Sequence, residues 1–214
     1  MIHVWTVIYG LLALVWALDG LRMRKRASSL LVLEDSDEEV SASHRFVTRA
    51  GVVVDEATQR AASAFARKNK LSVVDLVPRD LPARRAMFFL QLVDVALYRK
   101  DPMAVGTSAG EAMLVDADVL ERMRQAEGPQ PDVLAMCELA RRVKLYASME
   151  TDFAVAPRLR AAPEDKARNR ELVRFHFSNF APAIILVQSS LALAGPLLSP
   201  IAGSIALGTM HLQA

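Results

Sequence analysis

Two long stretches of this chain carry no Asp, Glu, Lys or Arg, and they lie at its two ends. Residues Ile2 to Leu18 read IHVWTVIYGLLALVWAL. At about 1.5 Å per residue, a helix of this length spans roughly 26 Å, just enough for the hydrocarbon core of a bilayer. Trp5 and Trp16 fall where interfacial aromatics anchor a membrane helix. Arg22, Arg24, Lys25 and Arg26 follow at once. Positive charge stays on the cytosolic side, so this cluster predicts an N-terminus outside and a cytoplasmic location from residue 19 onward. A cleaved signal peptide carries its charge before the apolar run and small residues after it, the reverse of what stands here. The second stretch, Phe180 to Leu212, is too long for one straight crossing, and Gly195, Pro196, Ser199 and Pro200 interrupt it. It reads as a crossing from about residue 181 to 198 with a segment turning back, or as a re-entrant hairpin.

Hydrophobic residues make up 52% of the 214-residue chain, and the excess over a soluble protein is concentrated in these two stretches. The net charge of +2 comes from bases dispersed among acids, which gives no footprint for nucleic acid. Cys137 is the only cysteine, so no intrachain disulfide can form, and His3, His44, His176 and His211 are too scattered for zinc spacing.

The organisation expected is a transmembrane helix at 1–18, a basic then acidic juxtamembrane linker at 19–45, an α/β domain at 46–160, an amphipathic interfacial helix at 161–179 and membrane segments at 180–214. Glu34, Asp35, Asp37, Glu38 and Glu39 form the acidic part of the linker. Arg174 lies on the interfacial helix and joins Arg22, Arg24, Lys25 and Arg26 at headgroup level.

Between these ends, strand-like and helix-like pieces alternate. Phe46 to Val54 is valine-rich and interrupted at Gly51. Asp55 has the character of an N-cap, with Ala57, Ala61 and Phe65 on one face of a helix running to about Lys68. Asn69 is a candidate for the left-handed residue that ends it. LSVVDLV, from Leu71 to Val77, reads as a buried strand stopped by Pro78. Asp80 and Pro82 open a second helix, with an apolar stripe of Met87, Leu90, Val93 and Leu97 and an end near Tyr98. GTSAG at Gly106 to Gly110 lacks both the phosphate-loop lysine and the dinucleotide fingerprint, and reads as a turn. AMLV follows as a strand, then a helix from Val119 to Gln125. Another helix starts at Pro131 and Asp132, with Val133, Met136, Cys137, Ala140 and Val143 on one face, and a last strand spans Asp152 to Ala156. This alternation predicts a small, mainly parallel α/β sheet.

The most informative stretch is Gly110-Glu111, Ala112 to Val115, then Asp116-Ala117-Asp118-Val119. Two carboxylates one residue apart at the end of a buried strand suit a hard divalent cation, magnesium or manganese, which can neutralise a diphosphate. The carboxyl edge of an α/β sheet is also where ligands usually bind. This stretch resembles the metal-site segment of membrane-bound family 2 glycosyltransferases, the group that includes ceramide glucosyltransferases. The layout is similar too: a membrane helix, a cytosolic domain, an amphipathic helix and further crossings. The resemblance implies that Asp116 and Asp118 bind the metal and the diphosphate of a nucleotide-sugar, for transfer to a lipid or glycan acceptor. The proline-containing turn and Asn-Glu pair that open the family's domain have no counterpart in Phe46 to Glu56, so the catalytic set is incomplete. The residues also admit a reading without a ligand, in which Asp116 ends the strand and Asp118 caps the next helix with Glu121 at its third position. The chain is then a non-catalytic membrane adaptor, or a subunit of a larger membrane complex, with Ser189, Ser190, Ala192, Ala194, Gly195, Gly203 and Ser204 allowing close helix packing.

Overall fold

The computed structural model describes residues 17–123 and 130–163, which belong to one compact unit, Met1–Glu164. Most of the run at 1–18, almost all of the helix expected at 161–179, and the segments at 180–214 lie outside the described residues. Among the described residues, no helix is long and apolar enough to cross a membrane.

The strands are β1 (Leu31–Val32), β2 (His44–Thr48), β3 (Val73–Pro78), β4 (Ala112–Asp116) and β5 (Thr151–Ala156). The helices are α1 (described over residues 17–28), α2 (Glu56–Asn69), α3 (Ala83–Leu92), α4 (Val95–Tyr98), α5 (Ala117–Arg122) and α6 (Val133–Tyr146). The five strands form one sheet in the order β1-β5-β3-β4-β2. An α/β domain is therefore present. Its sheet is mixed: β1 with β5 and β5 with β3 are parallel, whereas β4 is antiparallel to both its neighbours, β3 and β2.

Strand alternation sorts the core. Val74 and Leu76 of β3, Ala112 and Leu114 of β4, and Ala154 and Ala156 of β5 share one cluster with Ala61, Ala62 and Ala66 of α2. The small alanines let α2 lie close on the sheet. Its start is capped by Asp55, whose carboxylate accepts the Thr58 N–H at 3.2 Å, and Glu56 complements the dipole. Its end is turned by Lys70 at φ 52°, one residue beyond the expected Asn69.

The opposite face carries two separate clusters. Val73, Met113 and Val115 pack with Val119 of α5 and with Met136, Leu139, Ala140 and Val143 of α6. Val77 and Phe153 pack with Phe89, Val93, Val95 and Tyr98. Asp75 lies on this face between Val73 and Val77, at the seam between the two clusters.

The expected single helix ending near Tyr98 breaks at Val93, whose backbone is extended. α3 turns Arg85 and Phe89 inward and leaves Met87 exposed, and Leu97 of α4 is exposed as well, so the apolar stripe is only partly the buried one. After α4 the chain has reached the amino edge of β3 and β5: Arg99 donates to the carbonyls of Asn69 (2.8 Å) and Met149 (3.2 Å). Residues 106–111, all buried, then recross the face beneath α6 to the carboxyl edge. There Ala112 pairs with Leu76 near the end of β3. This return crossing is what makes β4 antiparallel. GTSAG is thus a buried crossing segment and not a turn. Its glycines fit that role. A Cβ on Gly106 would stand 2.3 Å from the Ala140 oxygen, and Gly110 has φ +79° with a Cβ position 2.8 Å from Val133.

Candidate functional site

Because β4 runs against β3, its carboxyl end lies at the amino edge of the parallel strands. Asp116 N–H donates to the Ser72 carbonyl at 2.7 Å, just ahead of β3, and Asp116 stands opposite His44 in register. The two candidate metal residues therefore occupy the edge opposite the carboxyl edge expected for them. Asp116 is the N-cap of α5, and its Oδ1 accepts the Asp118 N–H at 2.8 Å. The helix starts two residues earlier than its apolar pattern suggests, which moves the cap from Asp118 to Asp116. Asp118 sits in the first turn, exposed, where its charge favours the helix dipole. Among the described residues, no group of three His, Cys, Asp or Glu side chains could hold a metal ion.

The residues expected at the membrane interface divide. Arg22, Arg24 and Lys25 are exposed on α1. Arg26 is buried and turns into the domain: it donates to the carbonyls of Leu90 (2.7 Å) and Gln91 (2.9 Å) at the end of α3 and lies 3.6 Å from Asp94. It serves as a C-terminal cap for α3, satisfying carbonyls that the helix leaves without partners. Arg174 lies outside the described residues.

Among the described residues, the largest concentration of buried charge lies at the carboxyl edge, around the return crossing. Glu111 is fully buried. Its Oε1 faces Arg49 Nη1 at 3.0 Å and Arg85 Nη1, and its Oε2 accepts the Ala162 N–H at 2.9 Å. Arg85 Nη2 also donates to the Ala109 carbonyl at 2.5 Å. The crossing is neither helix nor strand, so its backbone needs other partners. Ala109 N–H donates to Asp75 Oδ1 (3.1 Å), Gly110 N–H to Ser108 Oγ (2.8 Å) and Thr107 N–H to the Tyr98 hydroxyl (3.3 Å). The other oxygen of Asp75, Oδ2, is buried and has no hydrogen-bond partner among the described residues. Burial pushes the Asp75 carboxyl up from 3.8 to about 7, while Ser108, the Ala109 N–H and Arg85 pull it back and Glu111 adds to the rise.

Of this cluster, the sequence reading placed Glu111 in the motif but assigned no role to Asp75, Arg85 or Arg49. One signal was present: Asp75 is the only charged residue within LSVVDLV, and a carboxylate in a strand buried on both faces needs a partner. Arg85 carries no comparable mark, because it belongs to a helix end rich in arginine.

No family model matches this chain, and neither a curated protein nor a solved structure matches it.

Proposed function

We propose that this chain is a membrane-tethered, non-catalytic α/β module that works as a subunit of a larger membrane assembly. The observation that carries the reading is the 2.8 Å bond from the Asp118 N–H to Asp116 Oδ1, at the amino edge of the parallel strands. It gives Asp116 a complete structural purpose as a cap. It also separates the pair from Glu111, the other acid of the motif, which lies at the opposite edge neutralised by Arg49 and Arg85. The membrane tether rests on the apolar runs of the sequence and on the basic cluster after the first of them.

A second reading keeps metal-dependent binding of a nucleotide-sugar at Asp116 and Asp118. It draws on the exposed carboxylate of Asp118 and on His44, which faces Asp116 in register. Calorimetric titration of nucleotide-sugars into the detergent-purified full chain, with and without manganese, separates the two. The subunit reading expects no metal-dependent heat, and a native membrane extract in which the chain migrates well above its own mass. Metal-dependent binding that is lost in Asp118→Asn would replace it with the transferase reading.

A further inference from the structure

We propose that the carboxyl edge of the parallel strands is a docking surface for anionic lipid headgroups, engaged through Arg79, Arg84, Arg158 and Arg160. The proposal rests on the membrane tether put forward above and adds the face that the domain turns to the bilayer.

The sheet brings these arginines to one place. β3 and β5 end side by side, with Pro78 opposite Ala156 in register. Arg79 follows the first of these ends directly, and Arg158 and Arg160 follow the second. Arg84 stands in the first turn of α3, which begins at the same edge. All four are exposed. Arg158 lies 3.0 Å from Asp35 and Arg160 lies 3.5 Å from Asp80, in pairs that stay open to water. Arg79 and Arg84 face no acid among the described residues. The acids nearby are engaged elsewhere. Arg49 and Arg85 share the single carboxylate of Glu111, Asp55 caps α2, and Glu56 meets Arg60 at 3.0 Å.

Arg84 is unfavourable where it stands. A cation in the first turn opposes the helix dipole. The first turn of α3 carries no acid, and its N-cap, Pro82, supplies no side-chain acceptor. An anion outside the domain, at the amino end of α3, offsets both the dipole and the two unpaired arginines.

The path of the chain selects a lipid surface as the source of that anion. Ala161 N–H donates to Asp80 at 3.0 Å and Ala162 N–H to Glu111 at 2.9 Å, so the chain leaves the described domain at this same edge. Only residues 164–179 stand between Pro163 and the uncharged run that starts at Phe180. A link that short raises the effective concentration of the bilayer surface at the edge. Val53, 83% exposed in the turn after Arg49, adds an apolar side chain for the headgroup boundary. A basic side chain close to an anionic leaflet favours the docked state about fivefold.

The test uses the full chain in vesicles of phosphatidylcholine, alone or mixed with phosphatidylglycerol. A fluorophore is attached at Ala83→Cys, at the carboxyl edge, or at Ser43→Cys, at the amino edge, and a nitroxide on the lipid headgroup quenches it. The chain without either substitution gives the background from buried Cys137. Quenching is expected at Ala83→Cys and not at Ser43→Cys, and is expected to be stronger in the anionic vesicles. Adding Arg79→Gln and Arg84→Gln is expected to lower the docked-to-undocked ratio in anionic vesicles roughly 30-fold, about fivefold for each arginine. Both side chains are exposed and without an acid, so urea unfolding of the variant is expected to match that of the parent. Equal quenching at the two sites, or quenching at Ala83→Cys that ignores lipid charge and both arginines, overturns the docking while the chain still resists extraction by alkaline carbonate. A chain that carbonate releases from the vesicles overturns the tether, and the docking with it.

Discussion

Ala109 N–H meets Asp75 Oδ1 at 3.1 Å in the middle of the sheet's multi-helix face, and this bond joins a buried, unladdered segment to the central strand of the domain. The crossing it holds reverses β4. The reversed β4 in turn places Asp116 and Asp118 at the amino edge. The edge that Asp116 and Asp118 face is therefore set by how residues 106–111 are accommodated.

The acid at the seam makes stability pH-dependent. Asp75 is raised in the folded state, so the folded protein holds a proton that the unfolded chain releases at lower pH. The contribution of Asp75 to stability is then greatest at acid pH, falls as pH rises from 3.8 to about 7, and is level above that. The interval corresponds to up to roughly 4 kcal/mol. Asp75→Asn keeps an acceptor for Ala109 and removes the ionisation. Urea unfolding at pH 7 and at pH 4.5 is expected to show the variant more stable than wild type at the higher pH and much closer to it at the lower.

Removing the carboxylate of Glu111 leaves buried Arg85 and half-buried Arg49 without their acid, and leaves the Ala162 N–H without an acceptor. Breaking a buried pair in this way costs about 3–5 kcal/mol. Glu111→Ala is expected to lower the unfolding free energy read from urea titration by that amount, and a loss below about 1 kcal/mol would mean that the cluster is hydrated in solution.

Gly106 tests the crossing by shape alone. The atoms its Cβ would meet, the Ala140 oxygen at 2.3 Å and the Arg141 Cα at 2.5 Å, are backbone atoms of α6 and cannot rotate away. Gly106→Ala is expected to cost about 1–3 kcal/mol or more. Gly51→Ala is a control with open space but positive φ; it is expected to cost about 1 kcal/mol, from backbone strain alone. Thermal unfolding of the two variants side by side checks the difference.

Most of the secondary structure was legible in the sequence because its signals are local. Asp55 and Asp132 cap α2 and α6 as their positions suggest, accepting the N–H groups of Thr58 and Ala135. The face of α6 made by Val133, Met136, Cys137, Ala140 and Val143 is buried throughout. The strands at LSVVDLV, AMLV and Asp152 to Ala156 are present within a residue or two. β1 was missed. Two residues of pattern are too few to read, and the strand exists only through its pairing with Ala154 and Val155. Strand direction was not legible either. It depends on whether the chain between β3 and β4 returns to the edge it left, and that is decided by a break at Val93 and by a buried crossing whose partners are distant side chains. Small residues in GTSAG look the same in a turn, a phosphate loop or a tight crossing. The candidate site inherited this ambiguity: Asp116 ends the strand and Asp118 lies in the first turn of the next helix, but the edge that the strand end faces could not be read.

The cap itself can be separated from ligand binding. Asp116→Ala is expected to lose about 1 kcal/mol, while Asp116→Ser, which retains an acceptor for the Asp118 N–H, recovers most of it. Urea unfolding in metal-free buffer reads this directly.

The most direct test of the central claim, that Asp116 and Asp118 start a helix and do not hold a metal-bound diphosphate, is calorimetric titration of nucleotide-sugars with manganese into the full chain, compared with Asp116→Ser and Asp118→Asn. No metal-dependent binding is expected in any of the three proteins. Saturable, manganese-dependent binding to the wild-type chain that disappears in Asp118→Asn would contradict it.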